Sequence, residues 1–114
     1  MQVIEERPWG KFEILHDGED CKLKRITVNP GGVLSLQYHH SRDEFWRITG
    51  GVATVTFDQE VISLKEGDFI EIPREVVHRV SNQTKDPLVF IELQTGDYFG
   101  EDDIVRLEDN YGRK

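Results

Sequence analysis

The residue types here that could move protons or hold a metal ion are four histidines, a single cysteine and an excess of carboxylates. The histidines are His16, His39, His40 and His78. Taken singly, a histidine on a strand is an ordinary surface or core side chain. The intervals around two of them are less ordinary. Gly31 is followed after five residues by Gln37, then His39, then after four more by Glu44 and after six more by Gly51. Further on, Gly67 leads after five residues to Pro73, then to His78, and after three more to Asn82.

These two blocks resemble the two signature motifs of the cupin superfamily, G-x5-H-x-H-x3-4-E-x6-G and G-x5-P-x-G-x2-H-x3-N, at every interval. Gln37 stands where the first histidine is usual, and Glu75 where the internal glycine is usual. The resemblance implies an all-β fold, the double-stranded β-helix or jelly-roll cupin barrel. It also implies a metal held by Gln37, His39, Glu44 and His78. Strand geometry agrees, because residues two apart leave the same face, so Gln37 and His39 point together. Glu44 would follow from the next strand and His78 from a distant one, converging inside the barrel. Two imidazoles, a carboxylate and an amide oxygen suit a divalent ion, Zn²⁺ first and Mn, Co, Ni, Mg or Fe after it. Gly31, Gly51 and Gly67 read as turn residues.

A closer resemblance covers nearly the whole chain. The run from Leu34 to Trp46 is similar to the LSLQxHxxRxExW stretch of type II mannose-6-phosphate isomerases. Arg7-Pro8-Trp9-Gly10, Lys24-Arg25-Ile26, Ile72-Pro73 with His78-Arg79, Glu92-Leu93-Gln94 and the tail from Gly100 to Arg106, then Asp109 and Tyr111-Gly112-Arg113, match it too. In that family the domain commonly forms the C-terminal part of a fused mannose-1-phosphate guanylyltransferase. No Gly-rich phosphate loop is present here, so guanylyltransferase activity is not expected of these residues. Two departures stand near the ligands: Glu75, placed to tighten or block the mouth of the site, and Phe45, where the family often has histidine.

The resemblance implies interconversion of mannose 6-phosphate and fructose 6-phosphate. That exchange moves a proton between C2 and C1 through an enediolate, whose charge a divalent ion or an arginine can stabilise. Arg42 matches the motif arginine and is the candidate for holding the enediolate or the phosphate. Its ordinary reading is a surface salt bridge with Asp43 or Glu101. Candidates for the base are His40 and Glu92, with Lys24 behind them. His40 is adjacent to a ligand and on a regular strand points away from it. Glu92 shares a face with Phe90 and Gln94, and the sequence leaves open whether that face is interior. Arg25, Arg79, Arg106 and Arg113 are weaker phosphate candidates. Trp9 and Trp46 read as core or barrel-rim residues, with sugar stacking as the alternative.

The elements that must position these groups are short strands. In Val52 to Phe57, the side chains of Ala53, Val55 and Phe57 share one face, a period of two. Leu23 to Val28, Val33 to Gln37, Phe45 to Thr49, Phe69 to Ile72 and Leu88 to Gln94 are similarly rich in β-branched, aromatic or alternating residues. Asn29-Pro30-Gly31-Gly32, Gly50-Gly51, Glu66-Gly67-Asp68 and Asp86-Pro87 punctuate them. The tail from Glu101 to Asn110 fits a helical turn or an extended segment equally. Its acidic residues read as a solvated face, while the match to the family implies closure over the barrel or a subunit contact.

With 114 residues, 37% hydrophobic and 32% charged, residues 1–114 are expected to form one domain. A net charge of −8 with no basic stripe argues against nucleic acid as a partner. No apolar run approaches the length a membrane-spanning helix needs, and the first residues lack a signal-peptide pattern. The lone Cys21 fits a reducing compartment. The expectation is therefore a cytoplasmic homodimer acting on a small hexose phosphate. Competing readings are a non-catalytic sugar-phosphate-binding or regulatory cupin, invited by Glu75, and an isomerase for glucose 6-phosphate. A metal-dependent dioxygenase on the same scaffold is a third, against which Gln37 argues.

Overall fold

The structure is a computed structural model that describes residues 3–112. These residues form eleven strands: β1 (Val3–Arg7), β2 (Gly10–Asp17), β3 (Cys21–Val28), β4 (Leu36–His39), β5 (Arg42–Gly50), β6 (Val52–Phe57), β7 (Glu60–Lys65), β8 (Phe69–Ile72), β9 (His78–Ser81), β10 (Leu88–Gly96) and β11 (Ile104–Glu108). One short 3-10 turn, Glu101–Asp103, precedes β11. No helix among the described residues is long and apolar enough to cross a membrane.

Every ladder is antiparallel. One sheet runs β1-β2-β3-β10-β5-β8 and the other β11-β4-β9-β6-β7. The expected all-β jelly roll is thus the observed architecture. Alternation decides which side chains enter it. Ala53 and Val55 are fully buried and Phe57 packs against the same core, as the period of two predicts. On β10, Leu88, Phe90, Glu92 and Gln94 all point inward. Between the sheets lie Trp46, Ile48, Ile72, Val80, Phe90 and their apolar neighbours.

The turns bear out the glycine expectation: Gly31, Gly51 and Gly67 have φ of 81°, 81° and 91°. At Gly51 a Cβ would also lie 2.4 Å from the Pro87 carbonyl oxygen, so a side chain is excluded on two counts. Asn82 closes the second motif structurally. Its amide donates to the carbonyls of Val28 (3.0 Å) and Asp86 (2.7 Å), and its oxygen accepts from Thr84.

The strand expected from Val33 to Gln37 begins later, at Leu36. Val33 makes only an isolated bridge to Ser81, because residues 31–34 bond to Val80 and Asn82 through single backbone contacts instead of a continuous ladder. The tail takes both conformations expected of it: a single 3-10 turn at residues 101–103, then a strand on the edge beside β4. Asp103 fastens the turn, its carboxylate accepting from the backbone N–H groups of His40 (3.3 Å) and Ser41 (2.9 Å).

Candidate metal centre and substrate cleft

The interval that places Gln37 and His39 on one face continues through the next turn. Residues 42, 44 and 46 share a face of β5, and all three are buried. His78 opens β9 opposite Gln37 in the β4–β9 ladder. These elements bring one ligand atom each of His39, Glu44 and His78 within 4.8 Å of one another, with all three residues buried.

Each group is held by a specific partner. The His78 ring has Nδ1 at 3.0 Å from the Val76 carbonyl, which can only accept. Nδ1 therefore carries the hydrogen in the neutral ring, and Nε2 presents its lone pair to the cluster. That Nε2 is buried and has no hydrogen-bond partner among the described residues. A buried acceptor left open is costly, and one facing a carboxylate and a second imidazole fits a cation. Glu44 accepts from Trp46 Nε1 at 2.9 Å and from Arg42 Nε at 2.9 Å. Arg42 Nη2 lies 2.8 Å from Glu44 Oε2 and 2.9 Å from His39 Nε2. The site thus fits a divalent ion held by His39, Glu44 and His78. Gln37 is the ladder partner of His78, and its Oε1 accepts from Ser35 Oγ at 3.2 Å.

The electrostatics separate the two buried carboxyls. Burial and the Arg42 charge, then His78, lower the His39 pKa to about 3. Burial acts to raise Glu44, but Arg42, His78 and the hydrogen bonds from Glu92 and Trp46 together hold it below the usual carboxylate range. Glu92 moves the other way, raised by burial and by the Glu44 charge against the pull of Lys24, Arg42 and Gln94. Its Oε2 accepts from Gln94 Nε2 at 2.6 Å. The two neighbouring carboxyls are thus driven in opposite directions, Glu44 down and Glu92 up, as in acid–base pairs whose roles are set by environment.

A cleft of about 60 Å³ opens beside the cluster. Gln37, Arg42 and Glu92 line it, together with Trp9, Lys24 and Arg106. Arg42 is the residue that joins the cleft to the cluster, and it is not on the surface. The surface salt bridge with Asp43 or Glu101 is replaced by a buried pair with Glu44, since period two along β5 sends residue 42 inward.

His40, named as a base candidate, is not brought to the cluster: one residue past β4 it points away from the ligands, as a regular strand would send it, with its side chain 52% exposed and Nδ1 3.8 Å from Glu75. One further expectation is corrected. Glu75 does not tighten the mouth of the site. It takes φ of 67°, the left-handed conformation in which the motif glycine is at ease, and its exposed carboxylate faces His40. Phe45 likewise points outward, its ring 5.5 Å from that of Phe69.

Among the weaker phosphate candidates, Arg25 pairs with Glu13 on the surface, and Arg79 clamps the Leu34 carbonyl and Glu108. Arg106 lines the cleft, and Arg113 lies outside the described residues. Trp46 is core, with its indole spent on Glu44, whereas Trp9 is buried and borders the cleft. Arg7 was not singled out as a site residue, and it also lines the cleft. Lys24 had a readable signal, since it keeps step with Ile26 and Val28 on the inner face of β3.

Comparison with known proteins identifies the family. The family model described as mannose-6-phosphate isomerase C-terminal matches residues 2–109. Xanthan biosynthesis protein XanB of Xanthomonas campestris pv. campestris is 51% identical over 107 residues, which cover 94% of this chain and 23% of that protein. Mannose-1-phosphate guanylyltransferase ManC of Salmonella typhimurium is 49% identical over 107 residues, covering 94% of this chain and 22% of its own. The chain therefore spans less than a quarter of the length of these curated relatives. Among solved structures, the capsular polysaccharide assembling protein CapF from Staphylococcus aureus superposes with a TM-score of 0.81 at 19% identity, covering 95% of this chain and 34% of that one. That likeness speaks to the fold alone.

Proposed function

We propose that this chain, which belongs to the mannose-6-phosphate isomerase C-terminal family, is itself a metal-dependent isomerase that interconverts mannose 6-phosphate and fructose 6-phosphate. The observation that carries the reading is the placing of Glu92, a buried carboxyl on the cleft wall beside the Arg42–Glu44 pair and the two imidazoles.

A divalent ion on His39, Glu44 and His78, with Gln37 as fourth donor, would supply a Lewis acid for the substrate's carbonyl and hydroxyl oxygens. Zinc is the ion this donor set suits best. Glu92 is assigned the proton transfer. In the open-chain aldose it takes the proton from C2 and returns it to C1, while the hydroxyl proton on O2 passes to O1. The carbon skeleton and the proton count are unchanged. A carboxyl whose pKa is raised by burial and by the Glu44 charge suits a group that both takes and gives a proton. Arg42 presents its guanidinium to the cleft and holds the oxygen charge that develops during transfer. Burial of Glu92 and Lys24 keeps bulk water from the transferred proton.

The reading includes a homodimer in the cytoplasm. Support for the dimer is the outer face of the larger sheet, where Phe45 and the 58%-exposed Phe69 stack beside Leu93. Glu75 was the feature that invited a non-catalytic binding module, and its outward placing removes that support.

The test is a coupled assay of purified, metal-loaded protein with mannose 6-phosphate, following fructose 6-phosphate. His78→Ala is expected to abolish turnover and to weaken metal retention. Glu92→Gln is expected to lower kcat by about 10²–10⁴-fold with metal content intact. A loaded wild-type site with no turnover under any divalent ion would replace the isomerase with a binding module.

A further inference from the structure

The cleft holds more positive charge than the chemistry at C1 and C2 uses. In a chain of net charge −8, Arg7, Lys24 and Arg106 line the same cavity as Arg42. They come from β1, β3 and β11, so no local run of sequence accounts for their meeting. Lys24 is 5% exposed, and its Nζ lies 4.2 Å from the centre of the Phe12 ring. The Arg7 guanidinium sits over the same ring at 4.8 Å. Phe12 thereby holds two like charges side by side that would otherwise separate. Arg106 Nε is buried and without a hydrogen-bond partner among the described residues. Burying a guanidinium N–H unpaired is unfavourable unless a ligand completes it.

Among the described residues, one carboxylate from the tail reaches into this group. Glu101, on the 3-10 turn before β11, has Oε1 3.5 Å from Arg7 Nη2 and Oε2 3.6 Å from Lys24 Nζ. Both separations are long beside the roughly 2.7–2.9 Å of a well-made charge-assisted hydrogen bond. A two-oxygen carboxylate spans the pair loosely and leaves Arg106 Nε unmet. Arg7 has a second outlet, to Glu5 at 3.2 Å and the Glu6 carbonyl at 2.9 Å.

We propose that Arg7, Lys24 and Arg106 form the seat of a phosphate dianion, and that the Glu101 carboxylate occupies part of this seat until the ligand's phosphate displaces it. A phosphate has three terminal oxygens, enough to meet all three cations at once. The seat is correctly placed for a sugar phosphate. Lys24 is the ladder partner of Glu92, and Arg106 is the ladder partner of Gln37. A phosphate held there leaves the sugar chain to run toward the cluster and the proton-transferring carboxyl. Displacing Glu101 requires only that its side chain swing out. The turn itself stays anchored through Asp103 to the backbone of His40 and Ser41. The identity of the ligand as a hexose phosphate rests on the isomerase reading; the anion seat does not.

The experiment is calorimetric binding to the metal-loaded protein, with inorganic phosphate, mannitol 6-phosphate and mannitol as probes. The hexitol has no carbonyl, so turnover does not enter. Arg106→Gln is expected to weaken inorganic phosphate and mannitol 6-phosphate by about tenfold, the scale of one hydrogen bond to a charged group, and to leave mannitol unchanged. Glu101→Gln is expected to tighten inorganic phosphate by about tenfold, on the same scale. Asp102→Asn, an equal change of charge one residue along the same turn, is expected to leave it unchanged. Arg106 lies on a half-buried edge strand, and Arg106→Lys gives a second variant that retains the charge and part of the affinity. Unaltered phosphate binding in Arg106→Gln, or equal effects of Glu101→Gln and Asp102→Asn, would overturn the proposal. Phosphate binding in the expected pattern without sugar-phosphate turnover keeps the seat and removes the isomerase. Turnover with Arg106→Gln unaffected does the reverse.

Discussion

Arg42 and Glu44 form an ion pair that neither water nor a surface neighbour relieves, with side chains 4% and 2% exposed. Such a pair costs desolvation, and removing one partner strands the other. It persists here because Glu44 also accepts from Trp46 and His39 accepts from Arg42, while the His78 Nε2 lone pair stays open among the described residues. The same arrangement keeps His39 neutral far below its ordinary pKa, to about 3, through burial and the Arg42 charge. The consequence for stability has a definite sign. The unfolded chain takes up the His39 proton near pH 6.5, while the folded chain resists it until about pH 3. Stability from this group is therefore complete above pH 6.5 and is lost as pH falls toward 3, at up to about 1.4 kcal/mol per pH unit. Urea unfolding of chelator-treated protein at pH 7 and pH 5 is expected to show wild type losing about 2 kcal/mol more than His39→Gln. Equal losses in the two proteins would show that the folded imidazole accepts its proton normally.

At the scale of elements, the turn between β8 and β9 carries a cost that its sequence need not carry. Glu75 adopts φ of 67° while its N–H donates to the His39 carbonyl at 2.7 Å. Glu75→Gly keeps that bond and releases the left-handed side chain, so it is expected to raise stability by about 1 kcal/mol with metal affinity unchanged. Thermal melting and a metal titration check this. A less stable variant would mean that the carboxylate's contact with His40 outweighs the backbone strain. This turn also shows what the sequence made legible. The motif interval located a glycine-like position, but only the backbone shows that Glu75 fills it with the conformation kept and the side chain outside. β6 was readable because Ala53, Val55 and Phe57 alternate cleanly. β1 and β2 were not, because Glu5, Glu6 and the buried Glu13 break the apolar pattern and a bulge between Ile14 and His16 shifts its phase. His39, Glu44 and His78 were readable because their intervals resemble the cupin signature motifs. The depth of Arg42 was implicit in its two-residue step to Glu44, whereas the meeting of Arg7, Lys24 and Arg106 depends on which strands become neighbours.

At the scale of the whole molecule, the sheets differ in what they show to solvent. The outer face of the larger sheet carries Phe45 against Phe69, flanked by a groove that Leu93, Thr95 and Glu71 line. If that face joins two copies, sedimentation equilibrium should give a dimer, and Phe69→Glu should shift it to monomer without lowering metal affinity. A wild-type monomer at micromolar concentration would exclude the dimer. The smaller sheet has a different peculiarity. Its β4 and β9 strands are laddered through the single pair Gln37 and His78, helped only by the Val33–Ser81 bridge and isolated backbone bonds. This is the thinnest seam of the barrel, and the candidate ligands sit on both lips of it. A fluctuation that parts this seam dismantles the cluster while the rest of the barrel stays zipped. A divalent ion held there would act as a clasp, its residence time and the breathing of this one wall being the same event.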